Sequence, residues 1–203
     1  MRKITMDTSK SEINLKNLKG MFWEANRAFL ENHASLLKRE LSERCLCGAL
    51  MHELNKQLEK NGCNNYYADI EFNRNKKRIK QLPNDDGFIN NILPDIIVHS
   101  RGKETPDNLL VLEMKKSSAN QQDKEKDRNR LRKMTKQNCD ESHYSYKYKF
   151  GVYYEINHNE SQIVVEFYQT GRRISTDSRV IEYKITEERG LEFIRERLLD
   201  SDE

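Results

Sequence analysis

Two short stretches, PDIIV at residues 94–98 and LEMKK at residues 112–116, place Asp95, Glu113 and Lys115 at the margins of apolar runs. Strand side chains alternate. A strand over NLLVLEMKKS therefore sends Glu113 and Lys115 to one face and Leu112 and Met114 to the other. If the two runs pair as a hairpin, Asp95 and Glu113 approach each other across the sheet. Two carboxylates held together at low dielectric repel, and leaving them unneutralised is costly. A divalent cation removes that conflict. A donor set made of oxygens alone favours Mg2+ or Mn2+ over zinc. Protonated Lys115 is a poor ligand but suits the orientation of an attacking water and the stabilisation of charge on a phosphate. The same residues also read as a salt bridge at a solvated strand end, with Asp95 capping a turn. The E-x-K triplet alone does not separate these readings.

These side chains need elements to hold them. Residues 28–60 carry a helical period without proline, and Leu36, Glu43, Leu46, Cys47, Leu50 and Leu54 form one stripe. Glu43 stands inside that apolar stripe, where a carboxylate needs a partner or a cation; Glu40, one turn earlier, is its nearest rival. Residues 66–73 alternate as a strand, with Glu71 on the polar face as a peripheral candidate. Further strands are expected over 93–99 and 108–117, joined as a hairpin. A charged helix follows over 120–137, in which Lys124, Asp127, Leu131 and Met134 share a side; Asp127 is expected to face the sheet and brace Lys115. SYKYKFGVYYEI gives the clearest strand period, with mostly core tyrosines, and QIVVEFYQT reads as its hairpin partner. A weaker extended stretch over 179–185 and a terminal helix over 186–199 complete the chain. Residues 1–27 read as an N-terminal arm or short helix, and 28–203 as one domain.

Pro94-Asp95 on the second of these strands and Glu113-Met114-Lys115 on the third resemble the motif of the PD-(D/E)xK nuclease superfamily. The order of helix, three strands, helix and strand over residues 36–156 is similar to that superfamily's core. The resemblance implies an α/β, restriction-endonuclease-like fold: a mixed β-sheet flanked by helices, core order αβββαβ, with C-terminal additions. It implies Mg2+-dependent hydrolysis of phosphodiester bonds, in DNA more than in RNA, leaving a 5′-phosphate and a 3′-hydroxyl. Asp95 and Glu113, with Glu43 and the backbone carbonyl of Met114, would hold the cation, and Lys115 would position the water. The alternative is a catalytically inactive nucleic-acid-binding or protein-interaction domain on the same scaffold. A homodimer is an expectation by analogy alone.

Charge agrees with a polyanionic partner only weakly. The 36 basic and 33 acidic residues among 203 leave a net charge of +3. The distribution is more telling: NRNKKRIK gathers Arg74, Lys76, Lys77 and Arg78 without an acid, and Lys116, Lys124 and Arg128 lie near the motif. Acids interleave with the last two, so local ion pairs explain that stretch equally well. With only 35% hydrophobic residues, the core must be compact. The four cysteines form no zinc pattern and read as small buried hydrophobes in a reducing compartment. Residues 1–17 contain no apolar core of a secretory signal, and no stretch reaches the roughly 18 apolar residues of a membrane span, so a cytoplasmic location is expected.

Overall fold

The strand NLLVLEMKK, β7 (Asn108–Lys116), lies near the middle of a sheet and is buried along almost all its length. A computed structural model describes residues 13–39, 41–75, 78–83, 87, 89–137, 146–186 and 190–199. β7 pairs antiparallel with β6 (Ile96–His99), which pairs antiparallel with β1 (Tyr67–Ile70). This is the expected hairpin, with Ile96 opposite Leu112. On its other side β7 runs parallel to β8 (Phe150–Asn157), and the crossover carries α4 (Gln121–Thr135). Antiparallel strands β9 (Gln162–Gln169), β10 (Arg172–Thr186) and β11 (Gly190–Leu198) extend the sheet to seven strands, in the order β1-β6-β7-β8-β9-β10-β11. The architecture is mixed α/β.

Strand alternation divides the core in two. Leu110, Leu112 and Met114 pack with Phe22, Phe29, Leu46 and Leu50 from α1 (Leu15–Asn32) and α3 (Glu43–Lys60). Val111 faces the opposite way, into a smaller cluster with Ile97, Tyr153, Tyr168 and the α4 residues Leu131 and Met134. Glu113 and Lys115 follow Val111 in that alternation and share the α4 side. Gly151 on β8 permits the close approach of α4. A Cβ there would lie 3.2 Å from both Leu131 Cδ2 and Thr135 Cγ2.

Three expectations are corrected. The helix over 28–60 is interrupted: α1 ends at Asn32, a short α2 (Ala34–Lys38) follows, and α3 restarts at Glu43. Ser42 accepts a hydrogen bond from the Cys45 amide and caps that new start, and Leu37, not Leu36, is the fully buried residue of α2. Residues 15–27, within the stretch expected as an N-terminal arm or short helix, belong to α1, which buries Leu18, Met21, Phe22 and Ala25. The polar Asn26 breaks that stripe in the sequence, yet it is buried and accepts a hydrogen bond from the Tyr154 hydroxyl at 2.7 Å. The terminal helix is instead strand β11, because β10 offers a free edge whose backbone groups it satisfies. Cys47 is buried, but Cys45 is exposed and Cys63 only partly covered; Cys139 lies outside the described residues. Among the described residues no helix is long and apolar enough to cross a membrane.

Candidate functional site

The end of β7 collects side chains from four elements. The β6–β7 register, continued by one residue, sets Asp95 opposite Glu113. Asp95 Oδ2 accepts a hydrogen bond from the Met114 amide at 2.8 Å. Glu43, the first residue of α3, reaches the same end, and its Oε1 accepts from the Lys116 amide at 2.8 Å. A carboxylate in that first turn is also favoured by the positive end of the helix dipole. Lys115 Nζ then lies 3.6 Å from Glu43 Oε2 and 2.9 Å from Asp127 Oδ2 on α4. The bracing expected of Asp127 is therefore present. Asp127 itself is buried, and its Oδ2, although close to the ammonium, accepts no well-directed hydrogen bond.

Glu113 is only 1% exposed, and its Oε1 accepts from Arg130 Nη1 at 2.9 Å. Arg130 also stands 3.3 Å from Asp127 Oδ1. The sequence places Arg130 on the charged helix over 120–137, among the cations that could grip a nucleic acid, and not at the acidic site. The signal was its spacing of three from Asp127, which puts both on one side of α4.

The electrostatics of this cluster are unbalanced. Four carboxyl groups (Glu43, Asp95, Glu113 and Asp127) meet two cations, Lys115 and Arg130. Burial pushes Glu113 up to about 8, with the Asp95 and Asp127 charges adding to that effect and Arg130 opposing it. Burial likewise raises Asp95 to about 6, against the stabilising Met114 amide and Lys115. For Lys115, burial favours the neutral amine. Asp127 and Glu43 outweigh it and hold the group above the ordinary lysine value, as an ammonium.

Oxygen donors and surplus negative charge suit a hard divalent cation in kind. Their positions suit it less well. Glu113 is committed to Arg130 and Asp95 to the Met114 amide. Among the described residues, no three acidic, histidine or cysteine side chains come together as a group that could hold a metal.

The other expected residues separate. Glu71 leaves the alternation of β1 in a left-handed backbone conformation (φ 48°) and pairs with Arg44 instead of joining the cluster. Lys124 donates at 2.8 Å to both Glu155 Oε1 and the Ser117 carbonyl. Arg128 lies 4.1 Å over the Tyr153 ring and grips Glu166 through Nε and Nη2. Both cations are thus engaged inside the protein. The Lys116 amide serves Glu43. Arg74 and Arg78 are exposed on a small hairpin of β2 (Arg74–Asn75) and β3 (Arg78–Ile79), whereas Lys76 and Lys77 lie outside the described residues, as does Glu40. No protein-family model, curated protein or solved structure matches the chain.

Proposed function

We propose that this protein is a metal-dependent nuclease of the PD-(D/E)xK type, with a restriction-endonuclease-like fold, that hydrolyses phosphodiester bonds in DNA. The observation that carries this reading is the setting of Lys115. Its ammonium lies between Asp127 and Glu43 at the strand end where the Met114 amide holds Asp95. Residues 43, 95, 115 and 127 come from separate elements, and a plain strand-end salt bridge needs only two of them.

Asp95, Glu113, Glu43 and the Met114 carbonyl would hold Mg2+ or Mn2+, which would acidify a water and neutralise phosphate oxygens. Asp127 and Glu43 keep Lys115 protonated. In that state it donates to the attacking water and offsets charge on the phosphate. Water oxygen bonds to phosphorus as the bond to the 3′ oxygen breaks, leaving a 5′-phosphate and a 3′-hydroxyl. Arg74 and Arg78, both exposed, would meet the backbone of the nucleic acid.

The test is cleavage of plasmid, linear and branched DNA with Mg2+ or Mn2+. EDTA, Glu113→Gln and Lys115→Ala should each abolish cleavage while the circular dichroism spectrum stays folded. Cleavage that survives Lys115→Ala would sink the proposal. A second reading, a non-catalytic nucleic-acid-binding or protein-interaction domain, is favoured by the Arg130–Glu113 pair, which already neutralises the carboxylate a metal would need. DNA binding without cleavage under every metal would decide for it.

A further inference from the structure

A cavity of about 690 Å³ opens between α4 and the hairpin of β4 (Gln81–Pro83) and β5 (Ile89–Asn91). Small-molecule sites are of that size, roughly 300–1,000 Å³. The lining is more apolar than polar, and Leu82, Pro83 and Ile92 belong to it. Five carboxamides stand around that apolar surface: Asn90 and Asn91 on the hairpin, and Gln121, Gln122 and Asn129 on the helix. Gln81 Nε2 donates to Asn91 Oδ1 at 2.9 Å and Arg132 Nη1 to Asn129 Oδ1 at 2.7 Å, which leaves Asn91 and Asn129 their amino groups. Asn90, Gln121 and Gln122 are exposed, and among the described residues no side-chain hydrogen bond engages them. Each therefore offers both a donor and an acceptor.

The charges of the lining already have partners. Glu125 accepts from Arg132 at 2.6 Å, Lys126 pairs with Asp123, and Arg130 pairs with Glu113 and Asp127. Lys133 donates to the Pro83 carbonyl at 3.0 Å. A ligand that uses the remaining groups is neutral, partly apolar, and edged with both donors and acceptors. A nucleobase has that character, and a carboxamide matches the N6 and N7 edge of adenine. We infer that the cavity holds one unpaired nucleobase, adenine before the others, gripped by Asn90, Gln121 and Gln122 against Leu82, Pro83 and Ile92. A base stacked within a duplex cannot enter a cavity, so the strand is single or the base is turned out of its stack. Arg130 lines the cavity and also reaches Glu113 Oε1 at 2.9 Å, so a base held there lies beside the acidic cluster. The inference deepens the nuclease reading, on which the choice of nucleic acid as partner rests, by naming an unpaired strand as the substrate. It needs no metal.

The experiment measures fluorescence anisotropy of labelled strands with the full chain in EDTA, where no cleavage intervenes. The probes are oligodeoxyadenylate, oligodeoxythymidylate and an abasic backbone of the same length. Wild type is expected to hold the adenine strand about tenfold more tightly than the abasic one, the gain from one well-paired base. The thymine strand should fall between them, and equal affinity for adenine and thymine would overturn the choice of adenine. Asn90→Leu combined with Gln122→Leu, both at exposed positions, should bring the adenine-to-abasic ratio below about threefold. Lys126→Ala removes a cation from the same lining. It should weaken every strand alike and keep the ratio, because a lysine serves phosphate and not the base. A wild-type ratio near one overturns the inference, and that measurement decides even if a variant does not fold. So does a tenfold ratio that survives the double variant. Either result leaves the nuclease reading to its own cleavage assay. Failure of all three strands and of duplex DNA to bind overturns the inference and removes nucleic acid as the partner, the nuclease reading included.

Discussion

Lys80 carries its ammonium where almost no water reaches. It is 1% exposed, donates to the Tyr148 hydroxyl at 2.9 Å and the Phe72 carbonyl at 3.3 Å, and lies near both of those rings. Burial lowers its pKa to about 7 in the fold, against the opposing pull of Asp107 and Asp69. The unfolded chain, with an ordinary lysine near 10.5, therefore holds more protons between those two values, and stability must rise with pH across that window. Below about 7 the full penalty of burying the charge is present. Urea denaturation from pH 7 to 10 should show wild type gaining stability relative to Lys80→Met, by about 1.4 kcal/mol per pH unit at most. Parallel curves would show that Lys80 stays protonated in the fold across this range, as an ordinary lysine does. The sequence could not reveal this burial. Lys80 ends the run NRNKKRIK, in which nothing distinguishes it from the exposed Arg74 and Arg78. Asp95, Lys115, Asp127 and Glu43 were legible because alternation and helical spacing fix which side each takes. Arg130 was legible only in part, because its spacing from Asp127 fixes its side of α4 but not that the buried Glu113 of β7 lies opposite it.

At the scale of elements, α4 carries both Asp127 and Arg130, so its distance from the sheet sets the geometry of the site. That distance is held at Gly151, where Leu131 and Thr135 from the helix and Tyr168 from β9 crowd the missing side chain. Valine there would place two further methyl groups against atoms already within 3.4 Å of the first. Gly151→Val is expected to destabilise the fold by about 1–3 kcal/mol, as overpacking does. On the proposed nuclease reading it should also weaken Mn2+ binding and cleavage together by lifting α4 from β7. Unchanged stability and activity would show that α4 yields freely and does not set the site. The elements themselves were unevenly legible. β7, α4 and β9 follow strong periods and are found where expected, whereas β8 begins only at Phe150, so Tyr146 and Tyr148 of the expected strand precede it. ERGLEFIRERLL is rich in helix formers and reads as a helix, yet β11 forms there, since pairing with β10 outweighs propensity.

For the whole molecule, that exchange of helix for strand leaves a long edge. Among the described strands β11 is the last of the sheet, and Phe193, Ile194 and Leu198 on it are 43%, 63% and 54% exposed. The opposite edge, β1, is only four residues long. Unpaired backbone groups beside large apolar side chains form a template for another strand. A net charge of +3 supplies little long-range repulsion to keep copies apart. One feature works against pairing: the β10–β11 register shifts opposite Glu182 and Tyr183, and such a bulge interrupts the edge and adds local twist. Association should therefore be weak and should grow with concentration, without reaching a fixed stoichiometry at low concentration. In sedimentation velocity the weight-average mass of wild type should rise with loading, and Ile194→Lys should flatten that rise by placing a charge in the middle of the edge. Ile89→Lys, which changes a similarly exposed isoleucine on the short strand Ile89–Asn91, should leave the rise as it is. If Ile194→Lys associates as strongly as wild type while Ile89→Lys does not, the contact lies at the hairpin of residues 81–83 and 89–91.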